Sequence, residues 1–193
     1  MPRTKEFEPD EAIGRAMELF WLKGYADTSI DELVTKTGAS RYGLYSTFGD
    51  KHDLFLRALE RYSREAFGPA IARLEEPGAA LGHIRAFFDR IRAHVRQPAG
   101  RRGCLMCNTA VELGPFDPPA AERVRKHFRR VRAAFEHALT NARKRGELRR
   151  GVGVAASADY LLGVAQGAFV LARSGLGVAA IERFLDTALE RLA

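Results

Sequence analysis

Two groups of residues in this 193-residue chain have the types and spacing to do chemistry. The first is the phrase SRYG, residues 40–43. An arginine near the start of an exposed helix can pair with guanine O6 and N7, and a tyrosine beside it can contact a thymine methyl or a phosphate. The second is a pair of cysteines, Cys104 and Cys107, whose sulfurs would share one face of a helix. The first group favours DNA recognition, and the second raises the question of thiol chemistry.

The DNA-recognition group needs a scaffold, and residues 28–54 have the pattern of one. Apolar residues at positions i, i+3 and i+4 from Ile30 predict a helix with one buried face. Ser29 and Glu32 form a capping-box pattern at its start. Gly38 can end it, because glycine accepts the left-handed backbone that a helix C-terminus often needs.

A second short helix is predicted directly after the turn. Ser40 can cap a helix over residues 41–48, whose inward residues would be Leu44, Tyr45 and Phe48. Two short helices joined by a tight glycine turn make a helix-turn-helix. The opposing interpretation is that Tyr45 is ordinary core and that the arginine of this helix is only a solvated charge.

Individual DNA contacts follow from this geometry. The second helix of such a motif enters the major groove, led by its N-terminal residues. We therefore predict that Ser40, Arg41 and Tyr42 lie nearest the base edges and that Gly43 lets the backbone approach the DNA. Polar side chains nearby could hold phosphates. These predicted phosphate contacts are Thr28, Ser29, Tyr45, Ser46, Thr47 and Lys51, with Arg3 and Lys5 reaching from an N-terminal arm.

The net charge of +7 does not identify the DNA-binding face. Residues 1–50 hold six Lys/Arg and nine Asp/Glu, a balance of −3, whereas residues 101–150 hold thirteen and five, a balance of +8. Bulk positive charge gives only non-specific attraction to polyanions. The case for DNA recognition therefore depends on a few local side chains, and the basic 101–150 segment has no assigned DNA role.

The composition limits the class of protein. At 46% hydrophobic residues, the chain can bury a substantial core. No apolar run approaches the roughly 18 residues of a membrane span, and the charged N-terminus does not resemble a signal peptide. Two cysteines are too few for a secreted disulfide scaffold. We therefore expect a cytoplasmic protein that has no membrane partner.

The hydrophobic periodicity is helical along the whole chain, so we predict an all-α fold of about nine helices. A three-helix DNA-binding domain over residues 1–50 would precede an effector-sensing and dimerisation domain over 51–193. Beyond the helix-turn-helix, the predicted helices are 9–23, 50–66, 79–96, 103–113, 119–145, 154–174 and 178–192, and residues 70–74 are expected to add only a further turn or two. The last two combine apolar residues with many alanines and glycines. They would form a homodimer interface or, alternatively, ordinary core.

Aromatic and sulfur-containing residues in the C-terminal part could line an effector pocket. The candidates are Phe87, Phe88, Cys104, Met106, Cys107, Phe128, Phe135, Tyr160 and Phe169, and each of them could equally be core. Few charged residues occur among them, which favours an apolar or aromatic effector. We predict no cofactor and no metal site, and no catalytic Ser/His/Asp set or phosphate-cradling glycine loop is present.

The cysteine pair has three possible interpretations. Cys104 follows Arg101 and Arg102 at a predicted helix start, where positive charge and the helix dipole would lower its pKa and activate the thiol. Alternatively, both cysteines are small buried hydrophobes. Metal binding, with His83 and His94 on the preceding helix, is the third possibility. A thioredoxin-type role is excluded because the chain has no βαβ pattern.

The segment LFWLKGYADTSIDELVTKTGASRYGLYSTFGDKHDLF resembles the DNA-binding domain of the TetR family of bacterial transcriptional regulators over roughly residues 9–57. This chain departs from the family pattern at Asp31, where alanine is common, and at Thr47, where histidine is usual. The resemblance implies an all-helical homodimer, usually a repressor that a small molecule releases from a palindromic operator. The phrase GCLMCNTAVEL resembles a motif of a TetR subgroup that includes cysteine sensors of electrophiles or oxidants.

These features predict a repressor in which an effector or a thiol modification moves the 103–113 helix. That helix would pull on the 50–66 helix and change the separation of two DNA-reading heads. The alternative is a helical ligand-binding or interaction protein that has lost DNA recognition.

Overall fold

The computed structural model describes residues 7–192, so the predicted contacts of Arg3 and Lys5 lie outside the described residues. All regular secondary structure within 7–192 is helical, which confirms the all-α class. The helices of this range are α1 (Pro9–Lys23), α2 (Ile30–Thr37), α3 (Arg41–Phe48), α4 (Lys51–Glu65), α5 (Gly68–Glu75), α6 (Leu81–Val95), α7 (Leu105–Glu112), α8 (Pro118–Lys144), α9 (Val154–Arg173) and α10 (Val178–Glu190), with a 3₁₀ turn at Pro98–Arg102.

The described part of the chain has ten α-helices where the sequence predicts about nine. The difference comes from α5, because Pro69 begins a helix here instead of only ending α4. Proline suits the first turn of a helix, since the amide hydrogen that it lacks has no intrahelical partner there.

Side-chain caps fix the helix-turn-helix. The Ser29 hydroxyl accepts the Glu32 amide at 3.2 Å, and the Glu32 carboxylate accepts the Ser29 amide at 3.0 Å, which is the predicted capping box. Gly38 ends α2 with a φ of 75°, a conformation that a residue with a Cβ rarely adopts. The Ser40 hydroxyl accepts the Gly43 amide at 3.0 Å and starts α3. All the predicted boundaries of this motif are present.

The inward face of α3 differs from the prediction at one residue. Leu44 and Phe48 are buried as expected, but Tyr45 is 42% exposed, so its assignment to the inward face is wrong. Each residue turns an α-helix by about 100°. Leu44 and Phe48, four positions apart, therefore share a face. Tyr45 is rotated by about 100° from Leu44, so it lies at the edge of that face and is partly exposed.

Helix α4 joins the reading head, which we define as α1–α3, to the rest of the molecule. It packs on α1 on one side and on α5, α7 and α8 on the other. The buried ring of Phe20 in α1 lies 5.0 Å from that of Phe55 in α4, centroid to centroid, and 6.3 Å from Tyr25. The domain boundary at residue 50 stays a prediction, because α4 packs both against α1 of the reading head and against helices of the C-terminal part.

Helix α8, 27 residues long, is the central element of the C-terminal body and packs against α4, α5, α6, α7 and α9. Phe135 in α8 stacks on Phe88 at 5.8 Å and meets Phe87 edge-on at 5.0 Å. Because such aromatic groups bury large apolar areas, this cluster contributes much of the body's stability.

Helix α7 is shorter than predicted. It begins at Leu105, with Cys104 at its N-cap position, because Gly103 turns the chain with a φ of 67° after the 3₁₀ turn. The prediction that this segment is buried on most sides is confirmed by Leu105, Met106 and Cys107.

Helix α9 is apolar on two faces. One face is buried in the core through residues such as Leu161 and Phe169, while Tyr160 and Val170 lie exposed on another. By length and composition, α9 is the one described helix that could cross a membrane. The expectation that no apolar run approaches that length is therefore corrected. A protein core on one side and a second subunit on the other would account equally for an apolar helix of this kind.

Candidate DNA-recognition surface and sensing core

The first turn of α3 presents two side chains to solvent. Tyr42 is 75% exposed, and the Arg41 side chain is 57% exposed. The Ser40 hydroxyl accepts the Gly43 amide, so its first role is to fix the helix start rather than to read a base. The structure thus leaves Arg41 and Tyr42 accessible at the helix end that leads into a major groove.

The guanidinium of Arg41 already has a partner. Its Nη2 lies 2.5 Å from the Asp31 Oδ1 in α2. Both groups are exposed, so this ion pair contributes little to stability. The Asp31 carboxylate holds Arg41 against α2, so a contact of Arg41 with DNA would have to displace this partner. In the sequence, Asp31 is only a departure from the family pattern. Its pairing with Arg41, ten positions further along the chain, could not be predicted from local patterns.

Gly43 leaves room for a contact within the protein. A Cβ there would lie 3.0 Å from a ring carbon of Phe7 and 3.1 Å from the Ser40 hydroxyl. The Phe7 ring also lies 6.1 Å from that of Phe48. The absent side chain therefore lets the chain preceding α1 pack against α3. The predicted close approach of Gly43 to DNA stays a prediction.

Two predicted phosphate contacts are occupied inside the protein. Thr28 is fully buried and its hydroxyl donates to the Gly24 carbonyl at 2.6 Å, so the predicted phosphate contact of its side chain is wrong. Ser29 is exposed, but its hydroxyl is engaged in the capping box with Glu32. Hydrogen bonds from Lys23 and then from Ser29 lower the pKa of Glu32 to about 2. This carboxylate stays charged beside the start of α2 and disfavours an anion there.

The other predicted phosphate donors differ in accessibility. Tyr45 and Ser46 are exposed, while Thr47 and Lys51 are half-buried. The Lys51 ammonium lies 4.4 Å from the centre of the Tyr25 ring, and burial lowers the pKa of Lys51. A cation held on an aromatic face keeps a fixed position at the start of α4. These four contacts stay predictions.

Two polar contacts join helices α1 and α4 to the body. The indole nitrogen of Trp21 donates to the Gly103 carbonyl at 3.0 Å in a buried hydrogen bond, and the Arg102 guanidinium lies 4.4 Å from the indole centre. His52 Nε2 lies 2.6 Å from the Asp117 carboxylate. No local pattern predicts these pairs, because their members are 65 or more positions apart in the chain.

A third contact holds the other end of α7. The Glu112 carboxylate accepts the amides of Tyr25 at 3.1 Å and Ala26 at 2.7 Å, directly after α1. A Cβ at Gly24 would lie 2.8 Å from this carboxylate, so only glycine permits the approach. Since Gly103 precedes α7 and Glu112 is its last residue, both ends of α7 are hydrogen-bonded to the C-terminal part of α1 and the loop after it.

The cysteines do not have the predicted activation. Cys104 is 1% exposed, and burial raises its pKa to about 11. Burial also raises the pKa of Cys107. The prediction of a lowered Cys104 pKa is therefore wrong, because the largest influence on this thiol is the loss of solvent around its charged form. Both thiols are free, as small buried hydrophobes would be.

Two of the predicted effector residues, Phe87 and Phe169, line an internal cavity of ≈ 130 Å³. Met106 instead lines a wider groove of ≈ 770 Å³ between α4, α5 and α8. Tyr160, 42% exposed on α9, faces away from the core, so its place in a pocket is corrected. The remaining candidates do not line the cavity and pack in or against the core; they are Phe88, Cys104, Cys107, Phe128 and Phe135.

The cavity has lining residues that the sequence did not indicate. Trp21, Phe67, Arg90 and His94 come from three separate parts of the chain. The sequence pattern indicated His94 only as a possible metal ligand, since no periodicity connects residues so far apart.

Comparisons with known proteins agree with this arrangement. The family described as "Bacterial regulatory proteins, tetR family" matches residues 13–58, and "Tetracyclin repressor-like, C-terminal domain" matches residues 80–188. The first match spans most of α1, all of α2 and α3 and the first half of α4, and the second spans α6 to α9 and most of α10. The chain belongs to the TetR family, and it is a DNA-binding transcriptional regulator.

Individual relatives extend over most of the chain. It is 35% identical over 162 residues to the uncharacterized HTH-type transcriptional regulator YezE of Bacillus subtilis (strain 168), covering 83% of this chain and 84% of YezE. It is 29% identical to the HTH-type transcriptional repressor ComR of Escherichia coli (strain K12), covering 97% and 90%. The crystal structure of a TetR regulator from Chloroflexus aurantiacus J-10-FL superimposes with a TM-score of 0.82 at 28% identity, covering 94% and 91%.

Proposed function

We propose that the protein is a homodimeric, cytoplasmic, non-catalytic repressor that leaves a palindromic operator when a small molecule binds in the helical body. The observation that carries this proposal is the attachment of both ends of α7 to α1 and the following loop, through Trp21 and Glu112. A displacement of α7 would move the reading head directly. The relative ComR is named a transcriptional repressor, which supports this direction of regulation.

The exposed face of α9 supports the dimer. Ala156, Tyr160, Gly163 and Val170 lie three to seven positions apart and share an exposed stripe of small and apolar residues. Small residues let helices approach closely, and a partner helix would remove the exposed rings and methyl groups from water. A two-fold dimer would present two α3 helices to half-sites about one DNA turn apart.

For DNA recognition we propose Arg41 and Tyr42 as base readers, with Tyr45, Ser46, Thr47 and Lys51 near phosphates. Arg41 would exchange its Asp31 partner for a guanine edge, a bidentate contact that the planar guanidinium is suited to make. Ser40 would position both readers by fixing the first turn of α3.

Release by a bound effector is favoured over release by thiol modification. The effector route needs only occupancy of a cavity that already exists. Attack by Cys104 would need the thiolate, which its burial disfavours, and would need α7 to open first.

The test of DNA recognition is binding to the DNA upstream of the protein's own gene, measured at several salt concentrations. Arg41→Ala and Tyr42→Ala should each weaken binding by roughly 5- to 150-fold, since a good base contact contributes about 1–3 kcal/mol. The matched control is Arg150→Ala, which also removes one charge but lies in the loop after α8, a helix about 40 Å long. Thermal melting verifies that both recognition variants are folded. If these folded variants bind the DNA as tightly as the parent, the recognition assignment fails.

The test of the dimer is the solution mass. Tyr160→Asp combined with Val170→Asp places two charges on the exposed face of α9 and should shift the protein from dimer to monomer in sedimentation equilibrium. An unchanged dimer mass in a folded double variant would show that the subunits meet elsewhere.

A further inference from the structure

The cavity between α1, α5, α6 and α9 has an aromatic wall. The Phe67 ring lies 5.4 Å from that of Phe169 and 6.1 Å from that of Phe87, each in an edge-to-face arrangement. Trp21 stacks on the imidazole of His94 at 5.8 Å, with the two ring planes 11° apart. Aromatic faces and edges at these separations favour a flat aromatic guest.

One buried polar atom in the lining has no partner. The Nε2 of His94 is buried and forms no hydrogen bond within residues 7–192. Buried polar atoms without a partner are rare in native proteins, because an unmade hydrogen bond costs free energy. Burial and then the charge of Arg102 lower the pKa of His94. The ring is therefore neutral at pH 7 and can hold one proton on Nε2 for a guest's oxygen atom.

The mouth of the cavity is basic. Arg90 lines the cavity and also lines a surface depression next to it, together with Arg73. Neither guanidinium forms an ion pair or hydrogen bond with another residue of the described range 7–192. Ala70 and Phe87 line both spaces, so the aromatic interior and the basic surface are continuous. An anionic group on the guest would meet two cations here.

The volume limits the guest to one ring. The cavity measures ≈ 130 Å³, and an apolar protein cavity of about 150 Å³ is known to hold benzene. We infer that this cavity binds a monocyclic aromatic carboxylate, of the size of benzoate. Its ring would lie among Phe67, Phe87 and Phe169, and its carboxylate would face Arg90 and accept a hydrogen bond from His94.

Binding here would act on the reading head because Trp21 belongs to α1. The same indole donates to the Gly103 carbonyl ahead of α7, so a ring pressed against Trp21 would disturb that link. A guest that favours one position of α1 shifts the population toward it. This regulatory half of the inference rests on the proposed function, whereas the binding half does not.

Trp21 provides the test, because it is the only tryptophan in the sequence. Benzoate should change the fluorescence of the full-length, DNA-free protein in a saturable way. Benzyl alcohol should bind at least about tenfold more weakly, since a hydrogen bond to a charged group is worth more than one between neutral groups. Acetate should give no saturable change. Sodium chloride at equal ionic strength corrects for non-specific effects.

Three variants locate the site. Arg90→Gln should weaken benzoate binding by about tenfold, whereas Arg85→Gln, an exposed arginine on the same helix that does not line the cavity, should leave it unchanged. Ala70→Leu should fill the cavity and abolish binding while leaving the melting temperature at or above that of the parent. Absence of a saturable signal, equal binding of benzyl alcohol and benzoate, or normal binding by Ala70→Leu would each overturn the assignment.

The regulatory half is tested on the operator complex. Benzoate should release the parent protein from operator DNA but not release Ala70→Leu. If benzoate saturates the Trp21 signal and operator affinity is unchanged, the regulatory half is overturned. Failure of the proposed function would look different, because the protein would then not bind operator DNA selectively even without benzoate.

Discussion

The proposed recognition surface and the proposed sensing core of this molecule are built in opposite ways. The recognition surface comes from consecutive residues in the first turn of α3, which are exposed and held by the Ser40 cap. The sensing core joins Trp21, Phe67, His94 and Phe169, which belong to separate helices or the chain between them. Substitutions in the recognition surface should alter the affinity for DNA with little effect on stability. Substitutions in the sensing core should alter both ligand affinity and stability.

The same contrast appears in the ionisable groups. In the reading head, hydrogen bonds from Lys23 and Ser29 lower the pKa of exposed Glu32. In the body, loss of solvent raises the pKa of Cys104 and lowers that of His127 to about 4. Hydrogen bonding favours the charged form at the surface, and burial favours the neutral form in the core.

The largest effect is expected at His127. Its pKa in the folded protein is about 4, against 6.5 for an ordinary histidine, because burial and then the charge of Arg130 disfavour the imidazolium. Between pH 6.5 and 4 the unfolded chain therefore binds more protons at this histidine than the folded protein does. The contribution of His127 to the free energy of unfolding is complete above pH 6.5 and is lost as the pH falls toward 4. The loss should reach about 3 kcal/mol, from about 1.4 kcal/mol per pH unit. Urea unfolding across this range measures it.

The His127→Gln variant isolates this contribution from those of the carboxylates. Its stability should fall less between pH 6.5 and 4 than that of the parent. His137→Gln, which changes an exposed histidine on the same helix, is the matched control. Parallel stability curves for the parent and His127→Gln would contradict the assignment.

The next largest effect is expected at the cysteines. With a pKa of about 11 in place of the usual 9, Cys104 has about a hundredth of the thiolate of an ordinary cysteine at neutral pH. In the single-thiol variant Cys107→Ser, N-ethylmaleimide should therefore label the folded protein about a hundredfold or more slowly than the urea-unfolded protein. The labelling rate, followed by mass spectrometry, should rise with pH up to about 11. Rapid labelling of the folded variant at pH 7 would contradict this prediction and would support Cys104 as a thiol sensor.

The difference between the two regions also explains which features the sequence could predict. Caps and glycine turns act within three or four residues, so the helix-ending or helix-starting roles of Ser29, Gly38 and Ser40 could be assigned from the sequence, with the Glu32 partner of Ser29. The fold class and family followed from the same local patterns. The exposure of Arg41 and Tyr42 was also within reach, because an eight-residue helix has only one buried face.

Contacts between distant residues could not be predicted in this way. The burial of Cys104 depends on how α7 packs in the body, and a local reading of its arginine neighbours gave the wrong direction for its pKa. Thr28 looked like an exposed donor, but the turn after α1 directs its hydroxyl inward to Gly24. The cavity is lined by residues of several helices, among them Trp21 of α1 and His94 of α6, which stack on each other although they are far apart in the sequence.

A smaller effect is expected at the cap of α3. Ser40→Ala removes the acceptor of the Gly43 amide and should lower the free energy of unfolding by about 1 kcal/mol, whereas Ser40→Gly should cost only a few tenths. Operator affinity should fall in the same order, because the cap fixes the turn that carries Arg41 and Tyr42. Urea unfolding and DNA titration measure the two quantities. Equal losses for the two variants would show that the hydroxyl contacts DNA directly.

The smallest effect is expected at Asp31. Asp31→Asn removes the carboxylate that holds Arg41 and should tighten operator binding by a few fold, since an exposed ion pair is worth about 0.2–1 kcal/mol. Asp27→Asn is the matched control, because it removes an equal charge from an exposed position that forms no ion pair with Arg41. The gain in operator affinity of Asp31→Asn over the parent should become smaller at higher salt, because salt already weakens the exposed Arg41–Asp31 pair in the parent. If both variants tighten binding equally, the carboxylate acts through bulk charge, and the pairing with Arg41 has no separate role in recognition.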